Sequence, residues 1–206
     1  MAGPDGFDSA ALAEGLGRIA RHMEVVAEEL NTLDGQLGDG DLGITMVRGS
    51  RAVSEGLGDL PADLGRALMT VAQGFTKTSG SSYGTLLATG LMAAAKELKG
   101  RERAEWTEVS GLLRAAFEMM RSRGKASLGD KTVLDALDAA ATATEGCDSG
   151  PAVLAAARGA VAETMDRMRG ETAKIGRARI FGEKSVGMDD PGMLAFRRIL
   201  DGLAEG

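Results

Sequence analysis

Residues 12–43 read LAEGLGRIARHMEVVAEELNTLDGQLGDGDLG, and the opening run of this stretch decides the fold class. Leu12, Leu16, Ile19, Met23, Val26, Leu30 and Leu33 follow one another in alternating steps of four and three. That spacing puts them on one stripe of a long amphipathic helix, with Asp8 or Ser9 placed to cap its start. The end of the stretch, LDGQLGDGDLG at residues 33–43, is different: Asp34, Asp39 and Asp41 lie among glycines, and no basic residue inside it balances them. Such a segment ends the helix, and Ile44 begins a second one reaching about Leu57.

The same period recurs along the chain. A third helix carries Leu64, Leu68, Val71 and Phe75, and a fourth carries Leu87, Leu91, Ala94 and Leu98. KGRERAEW, from residue 99, reads as a charged loop. A fifth helix is expected from about Glu108 to Arg121, a sixth from Thr132 to about Glu145, and a seventh from Pro151 through Met168. Pro191 suits the first turn of an eighth. No segment alternates with the period of a β-strand. The fold class is therefore all-α, in one domain over residues 1–206.

Four loops are polar and rich in glycine: residues 34–43, 76–82, 122–131 and 176–190. They follow the first, third, fifth and seventh helices. In an up-and-down helical array, alternate connections fall at the same end, so the parity gathers all four at one mouth.

Composition narrows the function. The formal net charge of -6 disfavours a nucleic-acid partner, because phosphate neutralisation needs clustered Lys and Arg. One cysteine, Cys147, excludes an intramolecular disulfide and any Cys-rich zinc site, and fits a reducing cytoplasm. No apolar run approaches membrane-spanning length, and MAGPDGFDSAAL shows no signal-peptide pattern. A cytoplasmic protein without a membrane partner is expected.

Each loop admits a chemical and a plain reading. The three aspartates could hold a hard cation, Mg²⁺ or Ca²⁺, or form a capped Asp/Gly turn. An EF-hand is a poor match, because Gly43 and Ser50 stand at the fifth and twelfth positions from Asp39. TSGSSYGT, from Thr78 to Thr85, offers hydroxyls and glycines ahead of a helix. That suits phosphate or a serine-rich N-cap, although no Walker A pattern is present. GKASLGDKT, from Gly124, could border an adenosine or cap the sixth helix through Asp130. The last loop carries Arg177, Arg179, Lys184 and DDPG, which could offset phosphate charge or form surface ion pairs. His22, the one histidine, reads as a boundary residue, Cys147 as incidental, and Trp106 and Tyr83 as packing residues.

In this order and spacing, LDGQLGDGDLGITMVRG, SGSSYGT, RGKASLGDKTVLDAL and GRARIFGEKSVGMDDPG resemble the L subunit of dihydroxyacetone kinase over nearly the whole chain. The resemblance implies an eight-helix antiparallel up-and-down barrel holding ADP or ATP and two Mg²⁺ at one mouth. It implies Asp34, Asp39 and Asp41 as metal ligands, with Leu42, Gly43, Ile44 and Thr45 against the nucleotide. Thr78 and Ser79 would meet phosphates, and Gly124 and Val133 the adenosine side. Arg177, as the catalytic cation, and the Asp190, Pro191 and Gly192 turn would close the site.

It further implies a kinase of glycerol metabolism in which a separate K-type subunit holds a short ketose and this chain delivers the γ-phosphoryl group. The donor would be free ATP, or a bound ADP recharged by a phosphotransferase-system protein. A non-catalytic Mg-nucleotide sensor regulating a partner is the alternative. Two departures stand out: Leu42 where the family's motif commonly has His, and Thr76-Lys77 where it has Gly-Gly.

Overall fold

Asp8 ends a short extended segment and starts the first helix. Its carboxylate accepts a hydrogen bond from the Ala11 N–H at 2.9 Å, satisfying one of the donors that a helix start leaves free. The computed structural model describes residues 3, 5–78 and 80–205. Among them, eight α-helices carry the fold: α1 (Ser9–Leu37), α2 (Leu42–Ser54), α3 (Leu64–Thr78), α4 (Ser82–Glu97), α5 (Val109–Gly124), α6 (Val133–Ala143), α7 (Gly150–Met168) and α8 (Pro191–Ala204).

Each helix packs on its predecessor, and α8 closes the ring on α1, giving the antiparallel up-and-down barrel expected from the sequence. Met23 and Leu30 of α1, Met46 of α2, Val71 and Phe75 of α3, Phe117 of α5, Leu134 of α6, Val161 of α7 and Met193 of α8 meet in one core. Burying such side chains supplies about 1.5–3 kcal/mol each. With few aromatics, the helices approach closely through small residues. A Cβ on Gly49 would lie 2.3 Å from the Phe75 ring, so the missing side chain lets α2 and α3 touch.

The boundaries differ from the sequence expectation at the mouth. Helix α1 runs past Asp34 to Leu37, so Asp34 sits in its last turn. Helix α3 continues through Thr76 and Lys77, where the Thr76 and Thr78 hydroxyls donate to the Ala72 and Gly74 carbonyls at 2.9 and 2.8 Å. Helix α5 reaches Gly124 and ends at Lys125, which is left-handed with φ of 52°. The cap of α6 is Thr132, paired reciprocally with Asp135; Asp130 instead accepts the Ser127 N–H at 2.7 Å.

A two-stranded antiparallel ribbon pairs β1 (Gly6–Asp8), just ahead of α1, with β2 (Arg103–Glu105), inside what reads as a charged loop. It is too short to show an alternating pattern. Trp106 packs on Phe7 with ring centroids 5.2 Å apart and donates to the Gly3 carbonyl, in keeping with a packing role. His22 pairs with Glu205 at 2.6 Å, tying the chain's end to α1. No helix among the described residues is long and apolar enough to cross a membrane.

Candidate functional site

The starts of α2, α4, α6 and α8 share one cleft of about 450 Å³. Leu42 enters its wall from α2; Ser81, Ser82 and Tyr83 from α4; Thr132 and Val133 from α6; Asp190, Pro191 and Gly192 from α8. This is the physical outcome of the loop parity: in a closed up-and-down barrel the even helices all begin at the same end. Helix starts carry unpaired N–H groups and the positive end of the helix dipole, so four of them bias the mouth toward anions. Ser81 caps α4 by accepting the Gly84 N–H at 3.1 Å, and Thr132 and Asp190 cap α6 and α8. Leu37, Leu42, Leu86, Val133 and Ile175 supply apolar wall.

The aspartates lie at one side of this mouth. One carboxylate oxygen from each of Asp34, Asp39 and Asp41 lies within 4.8 Å of the others. Asp34 has a structural duty too: its carboxylate accepts the Asp41 and Leu42 N–H groups at 3.0 and 3.2 Å, capping α2 from the end of α1. Asn31 does the same for the Ile44 N–H at 3.2 Å. Both rest on the close approach of α1 and α2, which Gly43 permits; a Cβ there would fall 2.0 Å from the Ala27 carbonyl oxygen. The turn reading therefore describes Asp34, whose carboxylate also belongs to the three-carboxylate cluster. Asp41, although it stands at the N-cap position, makes no capping bond with its own side chain. An all-oxygen donor set without Cys or His fits a hard cation such as Mg²⁺.

Arg177 comes to this cluster from the far end of the chain and forms an ion pair with Asp39. It is carried by the segment between α7 and α8, which closes on itself. The Gly187 N–H donates to the Arg169 carbonyl at 2.7 Å, and the Ala173 N–H to the Ser185 hydroxyl at 2.9 Å. Ala173 and Ala178, with Phe181 and Met188, pack on Leu37 at the end of α1. That contact sets the Arg177 segment beside the aspartates.

At the opposite wall, Tyr83 lies against Gly192; a Cβ on Gly192 would be 3.3 Å from the ring. Burial, helped by the charge of Asp190, pushes the Tyr83 phenol above its ordinary value. The Asp190 carboxyl is pushed up to about 7, chiefly by burial and further by Asp135, against the pull of the Met193 N–H and Lys131. Lys131 is 1% exposed, and burial holds its ammonium below the ordinary lysine range.

Of the residues expected at the site, Asp34, Asp39, Leu42, Val133, Arg177, Asp190, Pro191 and Gly192 line the cleft, and Asp41 joins its carboxylate cluster. Gly43, Ile44 and Thr45 follow Leu42 into α2 and are not among the lining residues; neither are Thr78, inside α3, nor Gly124, at the end of α5. Ser79 lies outside the described residues. Arg179, weighed with Arg177 as a cation for phosphate charge, also lines the cleft. So do Ser81, Ser82 and Thr132, from stretches that the sequence singles out without naming them individually, and Tyr83, which reads there as packing. Sequence reasoning passes over Lys131, behind them. The T-x-x-D pattern from Thr132 to Asp135 was a readable capping signal. Nothing local marks Lys131 as buried.

The DAK2 domain family matches residues 36–205. The chain is similar to the ADP-binding subunit DhaL of the PEP-dependent dihydroxyacetone kinase of Escherichia coli (strain K12), with 31% identity over 186 residues, 86% of this chain and 87% of that subunit. It is similar also to L-erythrulose 1-kinase of Mycolicibacterium smegmatis, with 32% identity over 211 residues, 94% of this chain and 37% of that kinase. The chain thus spans about a third of the length of that kinase and of the human triokinase/FMN cyclase. The crystal structure of the C. freundii dihydroxyacetone kinase in complex with AMP-PNP and Mg²⁺ superposes with a TM-score of 0.77 at 26% identity, covering 100% of this chain and 35% of that one.

Proposed function

The chain belongs to the DAK2 domain family, and on that premise we propose that it is the nucleotide-holding, phosphoryl-transferring part of a short-ketose kinase. The observation that carries this reading is the convergence of four helix starts and a three-carboxylate cluster on one cleft. In the proposal, residues 1–206 act as one cytoplasmic unit that holds ADP or ATP, and Asp34, Asp39 and Asp41 hold Mg²⁺, two ions in the full site. Bound there, Mg²⁺ supplies charge neutralisation at the phosphate oxygens.

The chain's own groups do the rest by positioning and electrostatics, the two demands of phosphoryl transfer. The positive dipole ends of α2 and α4 favour anions, Arg177 offers a guanidinium to the charge that develops on the transferred group, and Leu86, Val133 and Pro191 give the base an apolar wall. The cleft lining contains neither His nor Cys. In the proposal, transfer passes directly between the nucleotide and an acceptor, a short ketose such as dihydroxyacetone or erythrulose on a separate K-type subunit. The E. coli relative is named as the subunit of a PEP-dependent kinase, which supports a bound ADP recharged by a phosphotransferase-system protein as one donor scheme.

Thermal unfolding tests the reading. Mg-ADP or Mg-ATP at a hundredfold its dissociation constant should stabilise the protein by about 2.7 kcal/mol, and neither nucleotide nor Mg²⁺ alone should match it. An unchanged Tm under saturating Mg-nucleotide would overturn the reading. Asp39→Ala should abolish the Mg-dependent part. Turnover with a K-type subunit, ketose and either ATP or the recharging protein then separates a kinase subunit from a nucleotide sensor, which would bind without turnover.

A further inference from the structure

Lys131 is a cation where a cation is costly. It is 1% exposed, and it has φ of 61°, a left-handed conformation that bulky residues seldom adopt. Glycine would take that backbone with less strain, so the side chain has to account for the residue. Its ammonium donates to the Glu171 carbonyl at 2.9 Å and to the Ser185 carbonyl at 2.7 Å. Those two residues are the two sides of the neck of the segment that carries Arg177. The neck holds two further ties, from Ala173 N–H to the Ser185 hydroxyl and from that hydroxyl to the Gly182 carbonyl at 2.6 Å. Beside it, the Lys174 N–H donates to the Asp130 carbonyl and the Lys174 ammonium to the Gly129 carbonyl.

We infer that Lys131 is a positioning residue: its buried ammonium pins the neck of the 171–187 segment and so fixes the placement of Arg177 over the aspartate cluster. Lys131 directly precedes Thr132 and Val133, which line the cleft from α6. Lys131 therefore ties the α6 wall to the Arg177 wall from within the fold, beside the exposed Lys174 bonds to the Asp130 and Gly129 carbonyls. Removing the ammonium takes a charged donor from both sides of the neck: the buried Ser185 carbonyl keeps only the Met188 N–H at 3.3 Å, and the Glu171 carbonyl, on an exposed residue, turns to water, so the neck loosens. The consequence for nucleotide binding rests on the function proposed above; the pin itself does not.

The test separates the two. Hydrogen exchange in nucleotide-free Lys131→Met should speed up by about tenfold or more at amides of residues 172–187, while core amides of α1 to α6 keep their protection. Lys131→Gln, a milder change that removes the charge and shortens the reach, should give the same pattern to a smaller degree and serves if Lys131→Met does not fold. Unchanged exchange of the segment in the folded variants overturns the pin. By calorimetry, Lys131→Met and Arg177→Ala should each weaken Mg-ADP binding about tenfold, and the double variant should bind within about threefold of Arg177→Ala alone. Losses that multiply would overturn action through Arg177. A parent protein that does not bind Mg-ADP overturns the nucleotide reading and the affinity half of this inference, while exchange still decides the pin.

Discussion

Asp34 and Asp39 belong to one carboxylate cluster but have different physical duties. Asp34 accepts two N–H groups that begin α2, so Asp34→Ala should destabilise the ligand-free protein by about 1–2 kcal/mol. Asp39 is solvent-facing and pairs with the Arg177 guanidinium, both about half exposed, so Asp39→Ala should change stability by no more than about 0.5 kcal/mol. Chemical denaturation without Mg²⁺ checks both. Asp190 gives a pH signature. Its carboxyl titrates near 7 in the fold against 3.8 as its ordinary value. A raised acid favours the folded state most below the ordinary value, and that contribution is lost as pH rises through about 7. Asp190→Asn keeps a capping oxygen for the Met193 N–H. The variant should melt above the parent at pH 8, and the difference should fade as pH falls toward 4.

At the scale of elements, glycine sets how near two helices come. Gly43 faces the Ala27 carbonyl and Gly49 the Phe75 ring, both at distances no Cβ tolerates, whereas Gly111 in α5 has nothing within 4 Å of the position a Cβ would take. Alanine is the better helix former by about 1 kcal/mol. Gly111→Ala should therefore stabilise the protein by up to that amount. Gly43→Ala and Gly49→Ala should lower stability by about 2 kcal/mol, because overlap forces the helices apart. At Gly43 the same displacement would draw the α2 start away from Asn31 and Asp34. Melting curves of the three variants decide this, and equal stabilisation in all three would contradict the packing described here.

At the scale of the molecule, the barrel depends on its last helix returning to its first. Arg198 of α8 bonds Glu29 of α1 at 2.5 and 2.7 Å and Asp201 at 2.8 Å, while Arg158 of α7 reaches Asp201 at 2.9 Å. This network holds α8 between its neighbours, and the pairing with Arg198 keeps the Glu29 carboxyl below its usual range. Arg198→Met should cost about 1 kcal/mol, less at high salt, as measured by denaturation at two ionic strengths. Closure matters to the site because the Asp190–Gly192 turn begins α8 and the Arg177 segment ends just before it. A loosened α8 moves two of the cleft's walls together.

The sequence by itself determined the helix count, their order and the end of the barrel where the polar loops gather, because a period of 3.6 and a parity of connections are local properties. It also put the three aspartates in one short segment. Only the tertiary structure decided which hydroxyls and cations reach the cleft. Helix α3 ran a few residues further than its pattern suggested, leaving Thr78 within the helix and Ser81 and Ser82 at the mouth. Lys131 meets carbonyls 40 and 54 residues away, and Arg177 meets an aspartate from the other end of the chain. Contacts of that span carry no periodic signature; they exist because ring closure brings α1, α6 and the approach to α8 to the same mouth.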